Sequence, residues 1–264
     1  MLEVRQVTKI FNRGSVDEKV ALNGLSLTIN DGDFVTVIGG NGAGKSTMLN
    51  AICGTWLPDD GQIILDGIDV TALPEHKRAK YLGRVYQDPM MGTAAGMQIE
   101  ENLALAARRG KRRTLRPMIT GEERESYRLL LEELGLGLES RLAAKVGTLS
   151  GGQRQALTLL MATLQSPKLL LLDEHTAALD PKTAARVMEL TEKIVTETGL
   201  TTLMITHNMR DAINYGNRLI MLHEGRVILD ISGEEKKRLT VPQLLEQFSK
   251  ASGNEFSDDR AILA

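Results

Sequence analysis

Apolar and polar positions alternate along this chain in two rhythms. Runs of strand length, apolar or alternating, occur at residues 2–7, 25–29, 34–38, 62–65, 169–172, 202–205, 219–222 and 227–230. Stretches with apolar residues three and four apart predict helices over 45–53, 99–108, 122–134, 150–165, 181–198, 209–215 and 241–248. Strands crowd both ends, and helices crowd the region from about 90 to 165. The pattern predicts a mixed α/β core interrupted by a helical segment. The leucine run at 169–172 is a buried strand, far too short to cross a bilayer.

Chemistry enters directly after the strand at 34–38. Gly39, Gly40, Asn41, Gly42, Ala43, Gly44, Lys45, Ser46 and Thr47 form a glycine-rich loop that runs into a helix. Glycines let backbone N–H groups converge on phosphate oxygens, and the helix start turns its positive dipole end toward them. Lys45 supplies countercharge to the outer phosphates, and the Ser46 hydroxyl is placed to ligate Mg²⁺. The ligand class is therefore a nucleoside triphosphate. A second signal closes the strand at 169–172, where Asp173 and Glu174 follow four leucines. An unpaired carboxylate is costly to bury, so packing explains this pair poorly. Asp173 is placed to reach a metal, through water, and Glu174 to orient or deprotonate an attacking water.

Between these signals lies Leu149-Ser150-Gly151-Gly152-Gln153, and after them Ala178-Leu179-Asp180. In this order the chain resembles the ATP-binding cassette (ABC) ATPases from about residue 2 to 231. That resemblance implies a P-loop NTPase core with an antiparallel β subdomain and an inserted α-helical subdomain. The whole chain, 1–264, is then one ATPase domain. Its core is about 1–88 and 166–231, its helical subdomain about 89–165, and its C-terminal helix and tail about 232–264.

The resemblance also assigns roles. Gln87 matches the glutamine loop, which touches Mg²⁺ and water. His207 matches the switch histidine, which contacts the γ-phosphate and the catalytic glutamate, here Glu174. Phe11, following the first strand, matches the aromatic that stacks on adenine. Ser150, Gly151, Gly152 and Gln153 open a second anion-seeking helix start at about Gln153. The family resolves two such starts on one chain by a head-to-tail homodimer. ATP then lies between one subunit's phosphate loop and the other's signature, with Asp180 at the same interface. The family usually has Pro after the catalytic Glu, whereas His175 stands here. His76, His175 and His223 read as surface or packing residues.

Composition narrows the setting. The 264 residues carry a net charge of −2, which gives no bulk signal for nucleic acid. Aromatics are few, with one Trp, four Phe and four Tyr, so extensive base-stacking platforms are not expected. The single cysteine, Cys53, excludes an internal disulfide and fits a reducing compartment. The start of the chain does not read as a secretory signal. A basic run, Arg108, Arg109, Lys111, Arg112, Arg113 and Arg116, reads as a solvated loop between two helices.

The expected protein is thus a peripheral ATPase at the cytoplasmic face of a bacterial membrane. It would use ATP and Mg²⁺ and drive separate transmembrane permease subunits. A soluble ABC ATPase acting on ribosomes or nucleic acid is the alternative. Residues 173–180, 206–212 and 239–248 are also similar to the ATPases of tryptophan/tyrosine-type importers. Such importers work with an extracytoplasmic substrate-binding protein, and the cargo would be a small solute such as an amino acid.

Overall fold

The computed structural model describes residues 1–111 and 119–251. In chain order the elements are β1 (Leu2–Phe11), β2 (Lys19–Ile29), β3 (Phe34–Ile38), α1 (Lys45–Cys53), β4 (Asp60–Leu65), β5 (Ile68–Asp69) and α2 (Glu75–Arg78). Next come β6 (Leu82–Val85), α3 (Ile99–Ala107), α4 (Gly121–Glu133), α5 (Gly151–Thr163), β7 (Leu169–Asp173) and α6 (Pro181–Thr198). The chain continues through β8 (Thr202–Ile205), α7 (Met209–Asn214), β9 (Arg218–His223), β10 (Arg226–Ser232), α8 (Gly233–Lys237) and α9 (Val241–Ala251). They form two compact units: Met1–Arg78 with the chain from Gly199 onward, and Ala79–Thr198.

The first unit contains an antiparallel sheet of order β2-β1-β4-β5. It also contains β3, which lies parallel to β8 on one side and to β9 on the other. All five residues of β3 are buried, as expected of a parallel strand covered on both faces, and this explains its unbroken apolar run. Antiparallel β10 continues from β9. Met209, Ala212, Leu219, Met221, Leu244 and Phe248 build a core where α7 and α9 cover these strands. Two buried cations tie the unit together. Arg78 is 0 % exposed and donates to the carbonyls of Ala51, Ile52, Thr71 and Leu73 at 2.7–2.9 Å. Lys236, pushed down to about 8 by burial, donates to Thr36 Oγ1, Gly216 O and Tyr215 O.

In the second unit β6 and β7 pair in parallel, Leu82 opposite Leu169 and Val85 opposite Leu172. A helical core gathers Ile99 and Leu103 of α3, Tyr127 and Leu131 of α4, and Ala156 and Leu157 of α5. Several elements depart from the sequence pattern, β6, β2 and α5 among them. Strand β6 is absent from it because Gly83 and Arg84 interrupt the apolar run. Gly83 is needed there, since a Cβ would sit 2.5 Å from the Ala162 carbonyl. Strand β2 begins at Lys19 rather than near Leu25, held by pairing with β1 as far as Phe11 opposite Lys19. Helix α5 runs from Gly151 to Thr163 inside the expected 150–165, because Ser150 is its cap rather than its first turn. Part of the basic run, 112–118, lies outside the described residues. The rest is not simply solvated: Arg108 pairs with Glu123 at 3.0 Å, and Arg109 donates to the Ala162 carbonyl at 3.0 Å.

Candidate active site

The first unit holds the phosphate loop, His207 and Phe11. The loop leaves the buried end of β3 and turns into α1 through Gly44, whose φ of 101° is left-handed. A Cβ on Gly44 would meet the Ala21 carbonyl at 2.6 Å, and one on Gly39 the Leu222 carbonyl at 2.3 Å. Both positions therefore require glycine for backbone approach as well as for conformation. The first intrahelical bond of α1 is Met48 N–H to Gly44 O at 2.8 Å. The N–H groups of Lys45, Ser46 and Thr47 are then the first-turn donors that the helix itself cannot satisfy. The buried Lys45 ammonium arches back over the loop, donating to Gly39 O at 2.7 Å and Gly40 O at 3.2 Å. Asn41, Gly42 and Ser46 are exposed, and Ala43 is buried beneath them. N–H donors around the Lys45 ammonium give this loop the chemistry to hold a phosphate chain.

His207 lies in the bend between β8 and α7. Thr206 N–H donates to Val37 O at 3.1 Å, which ties that bend to the end of β3 just before the loop. On its other side Asn208 caps α7, accepting from Arg210 N–H and Asp211 N–H. Phe11 does not follow β1 but ends it, and it is only partly buried. Its ring meets Trp56 edge-on at 4.8 Å, and the Lys9 ammonium lies 5.8 Å from its centre.

The second unit holds the acidic pair, Gln87 and the signature. Parallel pairing brings the C-terminal ends of β6 and β7 side by side, so exposed Gln87 and the pair Asp173 and Glu174 emerge from the same edge. Asp173 is not unpaired, as the sequence suggested: Arg84 of β6 reaches Oδ2 at 3.3 Å. Glu174 adopts φ 47°, a left-handed conformation uncommon outside glycine. Proline at 175 would restrict Glu174 toward extended backbone, and His175 imposes no such limit. His175 itself is buried. Thr191 commits its hydroxyl hydrogen to Val187 O at 2.8 Å, so His175 Nε2 donates to Thr191 Oγ1 at 3.1 Å.

The signature residues have structural partners. Ser150 Oγ accepts from Gln153 N–H at 3.3 Å, and Gln153 Oε1 accepts from Ser150 N–H at 3.2 Å, a reciprocal capping box. A Cβ on Gly152 would strike Thr183 at 2.2 Å, and one on Gly151 would press on Leu179 at 3.2 Å. Asp180 caps α6, accepting from Thr183 N–H at 3.1 Å, and these bonds hold its carboxyl below the usual carboxylate range.

A family model described as ABC transporter matches residues 22–177. The chain belongs to the ABC transporter family. Its relatives include a tyrosine transport ATP-binding protein of Clostridioides difficile, 49% identical over 251 residues, covering 95% of this chain and 100% of that one. A methionine import ATP-binding protein of Corynebacterium efficiens is 36% identical, but this cassette spans only 61% of its length. Among solved structures, the dimeric post-hydrolysis state of an ATP-binding cassette bound to ADP and Pi superposes with a TM-score of 0.75. It is 31% identical and covers 88% of this chain and 98% of its own.

This cassette is thus a nucleotide-binding ATPase with a P-loop ABC fold. Two of its residues escaped the sequence reading. Arg84 sits in the strand that the periodicity missed. Gln155, fully buried on α5, donates through Nε2 to Tyr86 O at 3.2 Å, next to Gln87. An amide within the apolar run of α5 was the available signal for it.

Proposed function

We propose that this ATPase is the energy-coupling subunit of a bacterial importer whose cargo is an aromatic amino acid of the tyrosine type. The observation that carries the cargo is the 49% identity to a tyrosine transport ATP-binding protein along that protein's entire length. Among the described residues no helix is long and apolar enough to cross a membrane, which is consistent with separate permease subunits. The chain would then work as one ATPase domain at the cytoplasmic face, with residues 89–165 as the insert that meets the permease. An extracytoplasmic binding protein would deliver the solute.

In this reading ATP rests on the loop from Gly39 to Thr47, with Lys45 as its main countercharge and Phe11 under the adenine. Ser46, Gln87 and Asp173 are the residues proposed to serve Mg²⁺. Hard oxygen donors in small number suit that ion, which keeps waters and phosphate oxygens in its shell. Once bound, Mg²⁺ would neutralise charge on the phosphates. Glu174 orients and deprotonates the attacking water, and His207 donates a hydrogen bond to the γ-phosphate. Ser150, Gly151, Gly152, Gln153 and Asp180 serve the ATP of a second copy in a head-to-tail dimer. The dimeric cassette structures support that arrangement.

The test is uptake of labelled tyrosine and tryptophan by a strain lacking this chain. Wild type is expected to restore uptake, whereas Lys45→Ala and Glu174→Gln are not. Purified Glu174→Gln is expected to retain ATP binding and to lose about 100-fold or more in hydrolysis. Undiminished aromatic amino acid uptake in the deletion strain overturns the cargo assignment. Wild-type turnover by either variant overturns the site.

A further inference from the structure

The pair Arg84–Asp173 has no role in the mechanism above, although Asp173 does. Both side chains are largely withdrawn from water, 13% and 17% exposed. Their contact is nevertheless poor. It is a single bond of 3.3 Å from Arg84 Nη2 to Asp173 Oδ2. Other arginines here hold carboxylates with two short bonds: Arg124 grips Glu100 at 2.6 and 2.8 Å, and Arg218 grips Asp230 at 2.7 and 2.5 Å. Paired bonds of that kind are the strong form of the interaction. Arg84 Nε is moreover buried with no hydrogen-bond partner among the described residues, a cost that a fixed structural pair would normally avoid. The guanidinium also stacks on Tyr86, 4.4 Å from the ring centre, so it has a resting place that does not depend on Asp173.

A weak, half-buried pair with a second foothold is suited to exchange. We propose that Arg84 is a positioning residue for metal entry: it holds the Asp173 carboxylate when no cation is present and yields it to Mg²⁺. The proposal rests on the reading of Asp173 as a metal residue. Arg84 prevents an uncompensated buried carboxylate in the empty state, and in doing so it competes with the ion. It acts through Asp173 and takes no part in the chemical step. The aim of the guanidinium is set by the pairing of β6 with β7, which places Arg84 opposite Leu171, two residues before the aspartate.

The experiment is the free Mg²⁺ concentration that half-saturates binding of a fluorescent, non-hydrolysable ATP analogue to the full-length chain. Arg84→Met keeps the stem and removes the competing charge, and should lower that concentration about five-fold. In EDTA the same variant should melt below wild type, and saturating Mg²⁺ should narrow the gap. Arg84→Lys, which keeps the charge, should stay within about two-fold of wild type. Arg84→Gln provides a second neutral variant if the methionine form does not fold. Asp173→Asn should raise the half-saturating Mg²⁺. If the neutral Arg84 variants leave Mg²⁺ dependence unchanged while Asp173→Asn raises it, Arg84 is only a packing residue and the proposal is wrong. If Asp173→Asn also leaves it unchanged, the metal reading of Asp173 fails, and the role of Arg84 fails with it.

Discussion

At the scale of single residues the site mixes strain with burial. Glu174 stands at a left-handed φ, and the residue after it is a histidine with almost no access to water. Burial pushes the His175 imidazole down to about 4, against an ordinary 6.5. The folded state therefore keeps His175 neutral while the unfolded chain takes up a proton as pH falls below 6.5. Linkage then makes the unfolded state the better proton binder between those values, so stability declines as pH falls from 6.5 toward 4. The loss from this one group is about 3 kcal/mol by pH 4. Urea denaturation of wild type and His175→Gln at pH 7 and pH 4.5 checks it. The variant should start lower, having lost a well-packed buried bond, but should lose distinctly less on acidification. Equal pH slopes for the two proteins would mean that His175 is not buried neutral.

At the scale of elements, α1 is anchored at both ends by opposite needs. Its N-terminus turns first-turn N–H donors toward a ligand, whereas its C-terminus hides carbonyls that require donors. Arg78 meets that need for Ala51 and Ile52 and also binds Thr71 and Leu73 in the segment between β5 and α2. Its charge stands at the negative end of the helix dipole, a favourable placement. Arg78→Met fills the same space without donors and leaves several buried carbonyls unsatisfied. The expected loss is on the order of 3 kcal/mol of unfolding free energy, measured by urea titration. Nucleotide affinity should fall with it, because the phosphate loop is the other end of the same nine-residue helix. Arg78→Lys can reach fewer of the four carbonyls and should fall between the two.

At the scale of the whole molecule, the signature must be explained twice. The capping box of Ser150 and the tight approach of Gly152 to Thr183 give these residues reasons to exist within one subunit. A head-to-tail dimer would give them a second reason, and substitutions can separate the two. Ser150→Asp retains an excellent helix cap, so its stability should stay within about 0.5 kcal/mol of wild type. A carboxylate facing the partner's γ-phosphate should nevertheless abolish both ATP-driven dimerisation and turnover, with ATP affinity of the isolated subunit preserved. Light scattering with and without ATP, beside a turnover assay, checks this. Mixing Ser150→Asp with Lys45→Ala should recover at most one of two composite sites, since one interface carries both lesions and the other neither. Wild-type turnover by Ser150→Asp alone would leave the signature with its structural role only.

The sequence by itself determined the parts whose physics is local. The phosphate loop, Lys45 to Cys53 as a helix, the buried strand at 34–38 and the carboxylates closing the leucine run are all legible, because glycine, charge and periodicity act over a few residues. The helix 181–198 was legible for the same reason, with Asp180 and Pro181 marking its start. Only the tertiary structure decided what depends on partners distant in the chain. Strand β6 exists because β7 pairs with it and Ala162 leaves room for no side chain at Gly83. The long form of β2 exists because β1 holds its register. Arg84, Arg78 and Lys236 read in the sequence as ordinary charges, yet each is drawn out of water by groups that are far from it in the chain or aligned only by folding. A charge's role follows from what surrounds it, and those surroundings are set by packing rather than by its neighbours in sequence.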